Sequence, residues 1–184
     1  NHATLQRWVI RFVRLIDKEV RRRKKSVGSS WRMDETYIKV KGVWMYLYRA
    51  VDSAGYTIDF LLRKNRDASA AKAFFGKAIK HNGSPQKVTI DKSGSNSCTP
   101  SSLNKSLAKE KQIEIRQIKY LNNIVEQDHR FIKKRTKPML GFKSFNSAKI
   151  TITGIENIRM IQKGQIIGGN NKLSVFENFA MLMA

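Results

Sequence analysis

From residue 3 onward, apolar residues recur at helical spacing. Leu5, Trp8, Val9, Phe12 and Ile16 share one face, while Arg7, Arg11 and Arg14 lie elsewhere. The pattern predicts an amphipathic helix over 3–16. It runs into the basic stretch Arg21 to Lys25 and then into Ser26-Val27-Gly28-Ser29-Ser30, which reads as a linker with a domain boundary near residue 28. The period then drops to two. Residues 31–42 alternate, putting Asp34, Thr36, Ile38 and Val40 on one face. Residues 43–52 are aromatic and β-branched, and 56–64 read as a third strand. Lys41-Gly42 and Ser53-Ala54-Gly55 supply the turns, so the three strands form an antiparallel meander.

A helical period returns after Asp67, a plausible N-cap, with Ala71, Phe74, Phe75, Ala78 and Ile79 on one face; Asn82-Gly83 and Pro85 close it. Residues 86–91 form a short strand that ends at Asp91 and enters the loop 92–96. Thr99-Pro100 opens a helix with Leu103 and Leu107 inward. A fifth strand is expected over 114–121. Asn122 or Asn123 then caps a basic helix reaching Lys137, ended by Pro138 and Gly141. A last helix is expected over 145–163 despite its β-branched run. Three strands in a meander, followed by strands alternating with helices, give an α/β chain with a mixed five-stranded sheet flanked by helices. This is the element order of the ribonuclease H-like fold.

Charge narrows the partner. The 184 residues carry 36 Lys+Arg against 14 Asp+Glu, a formal charge of +22, alongside 41% hydrophobic and 9% aromatic residues. That apolar content supports a real core and argues against a disordered polycation. The positive field favours a polyanion, most commonly nucleic acid. No apolar run approaches the ~18 residues of a membrane span. A lone Cys98 supports neither a disulfide framework nor a cysteine-built zinc site. A chain starting at Asn1 without initiator Met or signal peptide is expected to be an N-terminally truncated, cytoplasmic protein.

With so few acids, their placement is informative. Asp34 lies within the first strand, Asp91 ends the fourth, and Glu126 occupies the first turn of the helix after the fifth. In this fold the first and fourth strands are neighbours, so all three carboxylates could meet at one end of the sheet. Crowded carboxylates repel unless cations lie between them, and Mg²⁺ accepts oxygen ligands while keeping several waters. Two such ions can clamp the attacking and leaving oxygens of a displacement at phosphorus. Plainer roles exist: Asp91 could merely end a strand, and Glu126 could pair with Asn123 at a helix start. Asp34 is harder to explain away, because Asp is disfavoured mid-strand. Asp52 and Asp67 read as turn and cap residues, and Asp59 is an alternative strand acid. Asp128 is expected to point to another side of its helix from Glu126, whereas His129 and Lys133 are expected to share the Glu126 face. His2, His81 and His129 lack ligand-like grouping, and Cys98 lacks a base partner.

The blocks WRMDETYIKVKG…WMYLYRAVDSAG, VTIDKSGSN and NNIVEQDHRFIKKRTKPMLGFKSF resemble DDE transposases of the insertion-sequence-six family, whose catalytic core is like that of retroviral integrases. Thirty-four residues lie between Asp91 and Glu126, the spacing that family uses, and Lys133 matches a basic residue of its helix. The resemblance implies that Asp34, Asp91 and Glu126 are catalytic and hold two Mg²⁺ ions, with Mn²⁺ able to substitute. It implies nicking at the element's ends and transfer of the freed 3′-hydroxyl to target DNA. NHATLQRWVIRF resembles the second helix of the family's helix-turn-helix module, so residues 1–28 read as the remnant of that module plus a basic linker. Residues 29–164 read as the core, and 165–184 as a tail outside the family pattern. Arg7, Arg11, Arg22, Arg23, Lys24, Lys92, His129, Arg130, Lys133, Lys134 and Arg135 are the expected DNA contacts. The expected partners are terminal inverted repeats, target DNA and at least one further copy of the chain, with no membrane. The setting is a bacterial cytoplasm, on the nucleoid when DNA is bound. A non-catalytic DNA-binding relic and a nuclease that only hydrolyses are the alternatives.

Overall fold

Two compact groupings emerge from the packing: Val27–Gly141, and Asn1–Ser26 together with Phe142–Ala184. The computed structural model describes residues 1–90, 104, 112–118 and 123–183, apart from the His2 side chain. The chain passes between these groups at 26/27 and at 141/142.

In the Val27–Gly141 unit, β1 (Ser30–Val40), β2 (Val43–Asp52) and β3 (Thr57–Arg63) form the expected antiparallel meander. The β1–β2 turn uses Lys41 at φ 51° and Gly42 at φ 79°, a left-handed pair that glycine adopts without steric cost. β4 (Lys87–Thr89) lies parallel beside β1, and β5 (Glu114–Arg116) lies parallel beside β4. The sheet order is therefore β3-β2-β1-β4-β5. β5 ends well before residue 121 because 117 and 118 leave the ladder. Asp91, the loop after it and the helix expected from Thr99 lie outside the described residues, except Asn104. The Asn104 amide bonds the Ile113 backbone in both directions, each at 2.7 Å.

α2 (Ala68–Asn82) covers one face of this sheet. The Asp67 carboxylate caps it by accepting the Ala70 N–H at 2.7 Å, and Gly83 closes it at φ 79°. Ala70, Ala71, Phe74, Phe75 and Ala78 pack against Trp31, Met33, Tyr48, Ala50, Ile58, Val88 and Ile90, forming the main core. α3 (Asn123–Thr136) packs on β1 and β2 through residues of the opposite sheet face. A short 3-10 turn (Lys137–Met139) follows it.

The other unit is helical. α1 (His2–Arg23) is a single 22-residue helix, so Arg21, Arg22 and Arg23 form its last turn rather than a linker. Cations there complement the negative end of the helix dipole. Its buried line also differs from expectation: Val13 and Val20 face inward with Ile16 half-buried, while Leu5, Trp8, Val9 and Phe12 are exposed. The partner of that line is α4 (Phe145–Gln162), whose Gly154 lies against Val13. α4 starts where Ser144 accepts the Ser147 N–H at 3.0 Å, and packing sustains the helix through its β-branched residues. Residues 166–183 belong to this helical unit. α5 (Val175–Ala180) begins with a reciprocal cap between Ser174 and Glu177, and Lys25 N–H donates to Gln165 C=O at 2.9 Å. No helix among the described residues is long and apolar enough to cross a membrane.

Candidate active site

Asp34 sits in the middle of β1, on the face it shares with Thr36, Ile38 and Val40. The antiparallel register sets Arg49 of β2 directly opposite. α3 crosses above them. Its inward residues are Val125, Asp128, His129 and Ile132, the spacing of one helical face. Apolar Val125 and Ile132 seat the helix, so the polar pair between them must also enter the protein. Glu126, Arg130, Lys133, Lys134 and Arg135 consequently point to solvent.

The buried pair meets the sheet acid and its cross-strand neighbour. Arg49 Nη2 donates to Asp128 Oδ2 at 3.1 Å, with the side chains 1% and 6% exposed. His129 Nδ1 lies 3.4 Å from Asp34 Oδ2. Burial pushes the His129 imidazole down to about 3, helped by the positive charges of Arg49 and Lys133 and opposed by Asp128. The ring is thus neutral at physiological pH, and its approach to Asp34 is a polar contact rather than an ion pair. Its Nε2 has no hydrogen-bond partner among the described residues.

The sequence-derived roles divide accordingly. His129 turns inward beside Asp34 instead of joining the exposed Glu126 face, and Asp128 is the interior partner of Arg49. The signal was present in the chain: the 125/128/129/132 spacing marks the buried line once Val125 and Ile132 are read as its apolar anchors. Arg49 sits at a strand position whose neighbours are buried, which marks it as a cation needing an internal partner. Asp52 accepts backbone N–H groups from Gly28 at 2.8 Å and from Ala54 and Tyr56 at 2.9 Å, a turn role as expected. Asp59 is buried with Lys77 at 2.8 Å and His81 at 3.0 Å, and so is committed elsewhere. Of the basic residues, Arg7 and Arg11 are exposed on α1, Arg22 pairs with Glu19 at 2.7 Å, and half-buried Arg23 donates to Met181 C=O at 3.2 Å. Lys24 is half-buried in a bridge to Ile166. Lys92 lies outside the described residues, as does Asp91.

Two described carboxylates, Asp34 on the strand and Glu126 on the helix, are oxygen donors of the kind a hard divalent cation takes. The Asp34 side chain is 21% exposed, so it is reachable from solvent while fixed by its strand. No group of three or more His, Cys, Asp or Glu able to hold a metal occurs among the described residues. The donor chemistry fits Mg²⁺, and the third expected ligand is Asp91.

A family model described as a DDE domain matches residues 28–165. The chain is 41% identical over 163 residues to the transposase for insertion sequence-like element IS431mec of Staphylococcus aureus, spanning 89% of this chain and 71% of that protein. It is equally similar to the transposase for insertion sequence element IS257 in transposon Tn4003 of the same species. Among solved structures, the HTLV-2 integrase catalytic core domain in complex with magnesium (dimeric form) matches with a TM-score of 0.55 at 18% identity, covering 72% of this chain and 87% of that one. The BIV integrase catalytic core domain matches with a TM-score of 0.51 at 15% identity, covering 83% and 94%. Those two likenesses establish the ribonuclease H-like fold. By the extent of the DDE-domain match and its identity with these relatives, the chain belongs to the DDE transposases of insertion sequences, polynucleotidyl transferases that act on DNA.

Proposed function

We propose that Asp34, Asp91 and Glu126 form the catalytic triad that nicks insertion-sequence ends and transfers the freed 3′-hydroxyl to target DNA. The observation that carries this reading is the seating of α3. Its buried face is held to the strand pair bearing Asp34, and Glu126 stands in the first turn of that same helix. Asp34 and Glu126, with Asp91, would hold two Mg²⁺ ions, for which Mn²⁺ can substitute. When bound, these ions supply the charge stabilisation that phosphoryl transfer at a DNA strand requires.

The chain's own groups do the remaining work. His129 stands beside the Asp34 carboxylate, its Nδ1 3.4 Å from Asp34 Oδ2. Arg130, Lys133, Lys134 and Arg135 face solvent on α3 and hold backbone phosphates near the carboxylates. Arg7, Arg11, Arg22, Arg23, Lys24 and Lys92 extend the contact, with residues 1–28 acting as part of an end-recognising helix-turn-helix module plus a basic linker, 29–164 as the core and 165–184 as its tail. Two element ends must be joined together, so the active form contains at least two copies, working on the nucleoid in a bacterial cytoplasm.

The test is a joining assay with end DNA bearing a free 3′-hydroxyl, a supercoiled target and Mg²⁺ or Mn²⁺. Asp34→Asn, Asp91→Asn and Glu126→Gln run beside the parent after a check of folding. The reading expects metal-dependent joining by the parent and loss of product in each variant. Joining that survives one of these substitutions removes that residue from the triad.

A further inference from the structure

On the sheet face that carries α2, the end farthest from that helix bears a row of rings and cations. Tyr37 of β1 is paired with Tyr46 of β2, and Tyr46 with Arg63 of β3. In the next row Lys39 is paired with Trp44. Because paired residues share a face, these side chains form one continuous surface across three strands. Tyr37 is 49% and Trp44 56% exposed. Their ring centroids lie 6.4 Å apart at 80°, Tyr37 and Tyr46 lie 5.4 Å apart, and Lys39 Nζ stands 5.9 Å from the Trp44 ring. Lys41 in the adjoining turn and Lys64 after β3 are also exposed. The three described strand carboxylates on this face are withdrawn: the Glu35 side chain is buried beside Arg66, Asp59 is buried with Lys77 and His81, and Asp52 is buried and accepts the N–H groups of Gly28, Ala54 and Tyr56. The surface that remains is aromatic and positively charged.

We propose that this surface binds unpaired nucleotides of single-stranded DNA, with bases stacking on Tyr37 and Trp44 and the phosphates following Lys39, Lys41, Arg63 and Lys64. Base–aromatic stacking needs bare π-faces on both sides, which a duplex conceals and an opened strand presents. The charge selects the occupant. A second copy of this chain laid on the same surface by a two-fold axis would bring these cations against their own equivalents, whereas a phosphate backbone neutralises them. The site shares no residue with the α3 contacts to duplex DNA, and it does not depend on the catalytic triad.

The experiment is a fluorescence-anisotropy titration of the full chain with a labelled 16-nucleotide oligothymidine and with a duplex of equal length, in EDTA so that no strand is cut. Tyr37→Ala/Trp44→Ala is expected to weaken oligothymidine binding about 10- to 100-fold, as loss of one or two stacked bases does, while duplex binding changes by less than about twofold. Tyr37→Phe/Trp44→Phe keeps the π-faces and is expected to restore single-strand affinity. Should the alanine pair fail to fold by circular dichroism, Lys39→Glu/Lys41→Glu reports instead and is expected to lose single-strand affinity. Unchanged oligothymidine binding, or an equal loss for duplex, overturns the proposal. So does a change confined to sedimentation behaviour, which would make the surface an interface between copies. Because no metal is present, a failed joining assay leaves this result untouched, and the converse holds as well.

Discussion

Arg49 and Asp128, 79 positions apart in the chain, meet at 3.1 Å between β2 and α3, both almost fully withdrawn from solvent. Buried charges are tolerated only while they are paired, so removing Asp128 takes away one of the groups that offset the Arg49 desolvation. Asp128→Ala is therefore expected to cost about 3–5 kcal/mol of unfolding free energy. An Arg49→Met/Asp128→Leu pair should recover most of that loss, because it removes both charges and fills similar space. Urea unfolding of the three proteins measures both values, and a single variant within error of the parent would show the pair to be idle.

The exposed side of α3 gives a prediction about binding alone. Lys133→Glu and Arg130→Glu remove cations from a surface read as following phosphates. Each should make the slope of log affinity against log salt shallower by about 0.9, with little dependence on DNA sequence. Affinity titrations across a salt series report this directly. A loss confined to one DNA sequence would instead place these side chains on base edges.

Tyr48 makes stability depend on alkaline pH. Its hydroxyl is buried, finds no hydrogen-bond partner among the described residues, and has its pKa pushed up to about 12 by burial, then by Glu35 and Asp67. The unfolded chain ionises this phenol near pH 10, while the folded chain keeps it protonated until about 12. Between those values the unfolded state binds fewer protons than the native state, so stability falls as pH rises, and below pH 10 this contribution is fully present. Tyr48→Phe should flatten that fall. It should also raise stability near pH 8 by about 1 kcal/mol, because an unsatisfied polar group leaves the core. Thermal melts at pH 8 and pH 11 compare the two proteins.

In the helical unit, α1 and α4 approach where Gly154 lacks a side chain. A Cβ there would stand 2.9 Å from Val13 Cγ2. Gly154→Leu is expected to destabilise by about 1–3 kcal/mol through overpacking. Gly154→Ala in a Val13→Ala background should be much milder, since the opposing methyl groups are gone and alanine favours the helix. Melting temperatures of the two variants decide the matter.

Much of this architecture was legible in the chain. Alternation over 31–64 located three strands whose register follows from their short turns. The α2 face from Ala71 to Ala78 and its Asp67 cap were readable because local rules and packing agree there. α1 was harder, since its most hydrophobic line, Leu5 to Phe12, is not the line that packs. Periodicity reveals a face but not the partner that covers it, and Val13 and Val20 are chosen by α4. The places of Asp34 within the first strand and of Glu126 in the first turn of its helix were legible. Asp128 does lie on another side of the helix from Glu126, but the inward turn of His129 follows from the apolar anchors Val125 and Ile132 rather than from its offset from Glu126. A polar residue on a buried line can be placed only once its partner is known, and Arg49 lies on a different element.

The helical unit is assembled from the two ends of the chain, which sets the order of events during synthesis. α1 leaves the ribosome before the Val27–Gly141 stretch, while α4 emerges only after that whole stretch has been translated. At roughly 5–20 residues per second, α1 waits several seconds with Val13 and Val20 uncovered in addition to Leu5, Trp8 and Phe12. The nascent chain thus offers the apolar face of an amphipathic helix to chaperones throughout the time its sheet is being made. A message broken before the codons for α4 would yield the strands and α3 but leave that helix permanently without its partner.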